Sequence, residues 1–440
     1  MGRSVPKTVC IDGIKGTGPG CSSEERAYEY KIDLITPMYG GGVVAGVVDE
    51  EMPVRATSIR GHLRFWWRLL YGLKLSLNDM REEEAEIFGS TQSASKVALK
   101  VKMSDSCLSL KAMASISEKD GKKKIVFETG KNKLQYAIFP FQGKIGKKGE
   151  PDVAPSLALV NTGSNERFTL SLSFSPKLSD AQREQVLNSL HGWINFGGLG
   201  ARTRRGCGAL YSEECAMEEA KNISSLLSGA PGIETVLMGN VKDNAESAWC
   251  EMVDLMKQFR QGEEIGRNKG DKMPGRSRWP EPDTIRRKVG AHLERHVPTM
   301  QVEGFPRARF GMPIIFHFKD SDFGGKSKPD MDPIDTCLRP ESSSRMASPV
   351  LLSPVKLKNG KVVPVIIFLK TGPLSSLLLE RSDKKGTYPI SVEQIVNPKF
   401  ASYDKSPMGK YSSKENPPKG DALEAFRAYL KEKKYTEVSL

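Results

Sequence analysis

The chain has 440 residues, enough for two or more ordinary domains, and 38% of them are hydrophobic, which supports a core but leaves much polar surface. A formal net charge of +13 favours an anionic partner, nucleic acid ahead of a membrane surface. The seven cysteines (Cys10, Cys21, Cys107, Cys207, Cys215, Cys250, Cys337) are odd in number and form no C-x-x-C pair, which excludes a disulfide framework or a zinc ribbon and fits reduced thiols in the cytoplasm; no signal peptide is read, and the longest apolar runs, such as 362–369, are too short to span a bilayer.

Residues 1–25 are rich in Gly, Ser and charge and predict a flexible leader. Tyr30, Ile32 and Leu34 alternate with Lys31 and Asp33, a half-buried strand ending at Thr36-Pro37. Gly40, Gly41 and Gly42 then give a turn that lets a ligand backbone pass close. The acidic run Asp49-Glu50-Glu51 reads as a solvated loop, with a nuclease carboxylate as the sharper alternative. A helix follows, with Ser58 as its expected N-cap. Its apolar stripe is Ile59, Leu63, Trp66 and Leu70. Arg60, Arg64 and Arg68 fall on a separate stripe, Arg55 precedes them, and no acid occurs from 53 to 78. These arginines, with Ser58, are candidate RNA contacts. Trp66 reads as core, and Trp67 lies between the stripes, open to core packing or base stacking. His62 reads as a structural histidine, with an RNA hydrogen bond or acid–base work as alternatives.

Strands are expected at 97–103, 123–128 and 136–141. Strict alternation of Phe168, Leu170, Leu172 and Phe174 predicts another. Ser179 caps a predicted helix over 179–191, which leads into Gly197-Gly198-Leu199-Gly200-Ala201-Arg202-Thr203-Arg204-Arg205-Gly206-Cys207-Gly208. Three guanidiniums among five glycines, with no Asp or Glu from 185 to 212, suit a polyanion. Gly198, Gly200 and Gly206 are candidate backbone contacts, and Arg202, Arg204 and Arg205 candidate phosphate ligands. A closing strand is expected at 207–211. The order strand, helix, strands, helix, loop, strand suits a β-α-β-β-α-β ferredoxin-like unit with inserted strands, an α+β sandwich.

The second half reads as an α/β unit of comparable size. No periodicity is clear from 224 to 244. Trp249, Met252, Val253, Met256 and Phe259 mark an amphipathic helix, and 262–282 predicts a mobile or RNA-ordered loop. Strands are expected at 312–318, 350–357 and 362–369, and Leu423, Phe426, Tyr429 and Leu430 mark a last helix. Arg307, Arg309 and Arg345 lie in acid-free stretches and are further candidates for RNA or subunit contact. His292 and His296 are four residues apart but lack the H-E-x-x-H arrangement and a third ligand, so no metal is expected. No cofactor pattern is read.

Three segments together carry a family resemblance: Thr36-Pro37-Met38-Tyr39-Gly40-Gly41-Gly42, the run from Val54 to Arg68 that contains Ser58-Ile59-Arg60-Gly61-His62-Leu63-Arg64, and the Gly/Arg loop. The chain resembles the RAMP superfamily of CRISPR effector proteins, and within it the first-numbered RAMP subunit of the type III-B (Cmr) complex. The resemblance implies two tandem ferredoxin-like (RRM-like) domains, here 26–223 and 224–440. It implies a non-catalytic RNA-binding subunit near the 3′ end of the guide RNA, beside other RAMP subunits, that helps to bind guide and target RNA. A RAMP endoribonuclease using His62 or Asp49, and a protein-docking subunit without RNA contact, are the alternatives.

Overall fold

The computed structural model describes residues 27–44, 46–104, 108–127, 134–146, 149–163, 167–269, 275–300, 302–318, 331–372, 374, 376–391, 406–411 and 421–440. The expected leader lies outside them. In the first domain, β1 (Tyr28–Leu34) leads to α1 (Ala56–Leu70) and α2 (Leu77–Phe88). Then come β2 (Val97–Lys102), β3 (Leu108–Ala112), β4 (Ala114–Lys119), β5 (Lys122–Phe127), α3 (Gln135–Ile138) and β6 (Leu157–Asn161). β7 (Phe168–Phe174), α4 (Asp180–Phe196) and β8 (Leu210–Tyr211) close the unit. β2, β7, β1 and β8 form one antiparallel sheet in that order, which is the 2-3-1-4 order of a ferredoxin-like fold. The β3–β6 and β4–β5 ribbons are the inserted strands.

The second domain repeats the plan. α5 (Asn222–Leu227) precedes β9 (Ile233–Met238) and α6 (Ala245–Gln261). α7 (Glu281–Val289), β10 (Ile314–Phe316) and β11 (Thr336–Pro340) precede β12 (Val350–Lys356) and β13 (Val362–Leu369). β14 (Leu377–Arg381), β15 (Thr387–Ile390), α8 (Pro407–Tyr411), α9 (Ala422–Glu432) and β16 (Thr436–Glu437) complete it. The order β12-β13-β9-β16 is again 2-3-1-4, with α6 and α9 as the two helices. β10, β11, β14 and β15 make a third antiparallel sheet around its own small core with Ile285 and Phe305.

Packing explains the apolar runs. α1 and α4 cover one face of the first sheet, and α4 also packs on β12. Leu351, Val355, Val363, Val365 and Ile367 therefore join the core of the first domain, while Leu352, Ile366 and Phe368 join α6 and α9. A sheet covered on both faces needs an unbroken apolar strand, and every residue of β13 is buried.

Several local expectations are corrected. Arg55, not Ser58, occupies the N-cap of α1 in an extended conformation, and Ser58 lies inside the first turn. α4 starts as expected, with a capping box between Ser179 and Gln182, but runs on to Phe196 because Trp193 and Phe196 continue its buried stripe. The expected strand at 136–141 is α3 followed by a 3-10 turn, Phe139–Phe141, since Pro140 cannot donate to a ladder. The segment 224–244, read as aperiodic, holds the end of α5 and all of β9, which pairs with β13 and β16 and buries Ile233, Thr235, Val236 and Leu237. The flanks of the expected mobile loop at 262–282 are tied down: Asn268 N–H donates to Arg276 O at 2.9 Å, and the buried Trp279 donates from Nε1 to Arg260 O at 2.9 Å. Residues 270–274 lie outside the described ones.

Candidate nucleic-acid interface

The Gly/Arg loop is held by the Thr36–Gly40 segment. Thr36 Oγ1 donates to Gly206 O at 2.7 Å and accepts from Ala209 N–H at 2.8 Å. Gly208 N–H donates to Pro37 O at 2.9 Å, and Ala201 N–H to Tyr39 O at 2.6 Å. Gly200 has φ +77, and a Cβ there would lie 2.3 Å from Tyr39 O, so only glycine fits. A Cβ at Gly206 would lie 2.6 Å from Cδ1 of the buried Trp249, whose Nε1 donates to Arg205 O at 2.6 Å. Gly198 is likewise closed in, by Gly208 O. Gly198 and Gly206 thus serve the loop's own packing, which corrects their reading as ligand contacts.

The loop separates two concavities. On one side a notch of about 320 Å³ is lined by Gly40, Gly41, Gly42, Arg55, Ser58, His62 and Gly200. The Arg55 guanidinium donates to Gly41 O and braces the glycine run. His62 stacks on Trp193, with ring centroids 5.9 Å apart and planes at 14°. Burial lowers its pKa to about 4, so the imidazole in the notch is neutral at pH 7.

On the other side Arg202, Arg204 and Arg205 line a cleft of about 830 Å³ between the two domains. Lys257 and Arg260 of α6 and Arg345 line it too, and among the described residues no Asp or Glu does. Arg202 adopts a left-handed conformation (φ 59, ψ 28) and donates to Tyr136 O at 2.9 Å. Arg260 donates to Tyr136 Oη at 2.5 Å. Arg204 bonds Ser348 O and lies 5.4 Å over the Phe65 ring. Arg205 is buried and donates to Ser348 Oγ and Val350 O, both at 3.2 Å.

This crowding shifts the ionisation of the groups at the cleft floor. Burial first, then the charges of Arg260, Arg202 and Arg204, pulls Arg205 down to about 10, with Tyr136 opposing. Burial also lowers Arg202 and Arg204. Burial raises the Tyr136 phenol, but Arg260, Arg205 and Arg202 outweigh it and hold it below its ordinary value. The Cys207 thiol, pushed up to about 12 by burial, supplies no counter-charge. Desolvated cations without a carboxylate create a strong positive field at the cleft floor. Phe139 stands 63% exposed at the rim, a flat apolar face beside that field.

The other predicted residues do not join either concavity. The expected uncompensated row on α1 is corrected: Arg64 and Arg68 both clasp Glu84, a buried carboxylate on α2, with Arg68 Nε at 2.5 Å. Arg60 donates to Val97 O at 3.4 Å. In the second domain, Arg307 pairs with the buried Glu281 at 3.1 Å and Arg309 with Asp421 at 2.9 Å. The absence of acids nearby in sequence missed these partners, since all three carboxylates come from other segments. Trp66 and Trp67 are both core, the latter donating to Gln185 Oε1 at 2.9 Å. Asp49 Oδ1 accepts from Met52 N–H at 3.0 Å and from Glu51 N–H at 3.2 Å, closing its own turn. His296 Nδ1 contacts Asp332 Oδ2 at 2.6 Å, a carboxylate already held by Arg286.

Sequence reasoning missed Tyr136, Phe139, Lys257 and Arg260 as cleft residues. The signal for Lys257 and Arg260 was present, as they sit on the polar face of an amphipathic helix. Nothing local marked Tyr136 or Phe139, which read as strand residues.

Residues 31–211 match the RAMP superfamily. Over 186 residues the chain is 27% identical to the CRISPR system Cmr subunit Cmr1-2 of Pyrococcus furiosus, covering 41% of this chain and 92% of that protein. It is 26% identical over 200 residues to Cmr1-1 of the same organism, covering 44% of this chain and half the length of that relative. Among solved structures, Cmr1 from Pyrococcus furiosus in its apo form aligns with a TM-score of 0.41 at 17% identity, over 79% of this chain and 88% of that one. A chain of the type III-B Cmr-beta complex bound to cognate target RNA and AMPPnP aligns at 0.40 and 15%, over 79% and 95%. No described helix is long and apolar enough to cross a membrane. The RAMP-superfamily match thus falls on residues 31–211, the first ferredoxin-like domain, and the relatives to which the chain is similar are Cmr1 subunits.

Proposed function

We propose that the chain is a non-catalytic RNA-binding subunit of a type III-B CRISPR interference complex, which holds guide and target RNA near the 3′ end of the guide, beside other RAMP subunits, in the cytoplasm. The observation that carries this reading is the interdomain cleft, where six cations converge without a carboxylate and an exposed aromatic ring stands at the rim. Guanidiniums and ammoniums at the floor neutralise phosphates, and the ring of Phe139 offers a stacking face to an unpaired base. The protein contacts backbone and shape while sequence is read by pairing between guide and target. The glycine notch beside the cleft offers close approach and backbone donors to the same strand. Against catalysis by this subunit stand the turn that Asp49 closes on its own backbone and the stacking of His62 on Trp193.

The test is filter binding of single-stranded RNA to the purified chain across a salt series. Affinity falls with a log–log slope of roughly −0.7 per neutralised phosphate. Lys257→Glu with Arg345→Glu, both at the cleft mouth, weakens binding at least about tenfold and flattens the slope by about 1.4. Binding that ignores both salt and the reversal overturns the reading. The same RNA stays intact on incubation with the chain; cleavage lost on His62→Ala or Asp49→Ala would establish the nuclease instead.

A further inference from the structure

The loop from β1 to α1 departs from the charge of the rest of the molecule. No Lys or Arg occurs from residue 32 to residue 54, while Asp33, Asp49, Glu50 and Glu51 do, in a chain of net charge +13. The same loop turns large apolar side chains outward: Val43 is 96% exposed, Val44 63%, Val47 50% and Met52 58%. Its ends are fastened. Val48 and Val54 are buried in the core of the first domain. Gly42 N–H donates to Val47 O at 3.0 Å and Val47 N–H to Val44 O at 3.1 Å. The Asp49 turn and the Arg55 guanidinium on Gly41 O hold the two shoulders. Two valines of the loop thus point inward as anchors, and three valines and a methionine point outward from a backbone that is already hydrogen-bonded.

Holding such a patch in water has a cost that folding alone does not recover, because roughly 25 cal/mol per Å² is forgone for each apolar surface left wet. We propose that this loop is a plug that docks on another protein of the effector complex, into an apolar socket rimmed by Lys or Arg. The acidic side of the loop selects that rim and excludes a phosphate backbone, since three carboxylates beside the tip repel nucleic acid. The cleft and the plug then divide the work by charge: the cationic concavity takes RNA, and the anionic, apolar projection takes a protein neighbour. The inference rests on membership of a multisubunit complex and is independent of RNA binding by the cleft.

The test uses the complex reconstituted from purified subunits and guide RNA, with a benzophenone amino acid in place of Val43. Irradiation is expected to crosslink this chain to a neighbouring protein subunit. A crosslink to guide or target RNA, or none at all, overturns the proposal. In parallel, Val43→Asp with Val47→Asp lowers incorporation into the complex at least about fivefold, and Glu50→Lys with Glu51→Lys does the same at low salt. The valine pair leaves the affinity of the isolated chain for single-stranded RNA unchanged. Incorporation of either pair at the wild-type level counts against the plug. Should the aspartates disturb folding, Val43→Thr with Val47→Thr keeps the shape and is expected to show the same loss in milder form. Loss of RNA binding on the cleft reversals tests the earlier reading alone, so the two ideas fail separately.

Discussion

Burial separates Arg205 from Arg345, although both line the cleft. Arg205 spends its donors on Ser348 and Val350 and supports Trp249 through its carbonyl, so it assembles the junction between the domains. Arg345 is exposed, with no carboxylate partner among the described residues, and its charge is available to a ligand. His62 belongs with Arg205 as a group whose surroundings set its state. Its folded pKa of about 4 lies below the ordinary 6.5 because burial disfavours the cation. The unfolded chain takes up that proton first as pH falls. The stability linked to His62 is therefore fully present above pH 6.5 and is lost between 6.5 and 4, on the order of 3 kcal/mol. Urea unfolding at pH 7 and pH 4.5 measures it. His62→Phe, which keeps a ring against Trp193, is expected to remove that part of the acid loss; parallel falls in wild type and variant would refute the assignment.

At the scale of elements, α1 shows how a cationic stripe is turned inward. Its apolar stripe meets the sheet and α4, where the absence of a side chain at Gly192 admits Trp66; a Cβ there would lie 2.8 Å from Trp66 Cε3. Its arginine stripe meets α2, whose Glu84 takes both Arg64 and Arg68. Burial raises the Glu84 carboxyl, but hydrogen bonds and charge from Arg68 and Arg64 outweigh it and hold the pKa below the ordinary carboxylate value. The contribution of this clasp is thus present above about pH 4.5 and declines as pH falls further. Glu84→Gln is expected to destabilise the chain by about 1–2 kcal/mol at pH 7, discounted for the half-exposed arginines, with the gap to wild type narrowing in acid. Chemical denaturation at pH 7 and pH 3.5 checks both parts. The stripe spacing on α1 was legible in sequence because it is a property of one helix. The partner was not, because α2 was not read as an element and Glu84 lies 16 residues beyond Arg68. The same limit explains 136–141, where an expected strand is turned by Pro140 and the burial of Phe141 into a short helical corner.

For the whole molecule, the consequence of layering is mutual dependence. The second sheet offers one face to α4 and the other to α6 and α9, so neither ferredoxin-like unit completes its core alone. The full chain is expected to unfold in one cooperative transition. A fragment ending at residue 223 lacks Leu351, Val355, Val363, Val365 and Ile367 against its core, and is expected to show no sharp melting transition and to bind a hydrophobic dye. Scanning calorimetry and dye fluorescence read the result; a fragment melting as sharply as the full chain would contradict the shared core.

Local chemistry, written in the sequence, already determined the α+β class, the first β-α-β-β-α-β unit, the amphipathic stripes of α1 and α6, the Ser179 cap and the Gly/Arg loop before the closing strand, while the second such unit was implied only by the family resemblance. Each depends on residues within one element or on a short motif, where periodicity and backbone preference decide the outcome. Which arginines stay available was decided only in three dimensions. Charges are neutralised by whatever the fold brings near: Glu84, Glu281 and Asp421 claim four of the predicted arginines from distant segments, and Lys257 and Arg260 arrive at the cleft from a helix of the other domain.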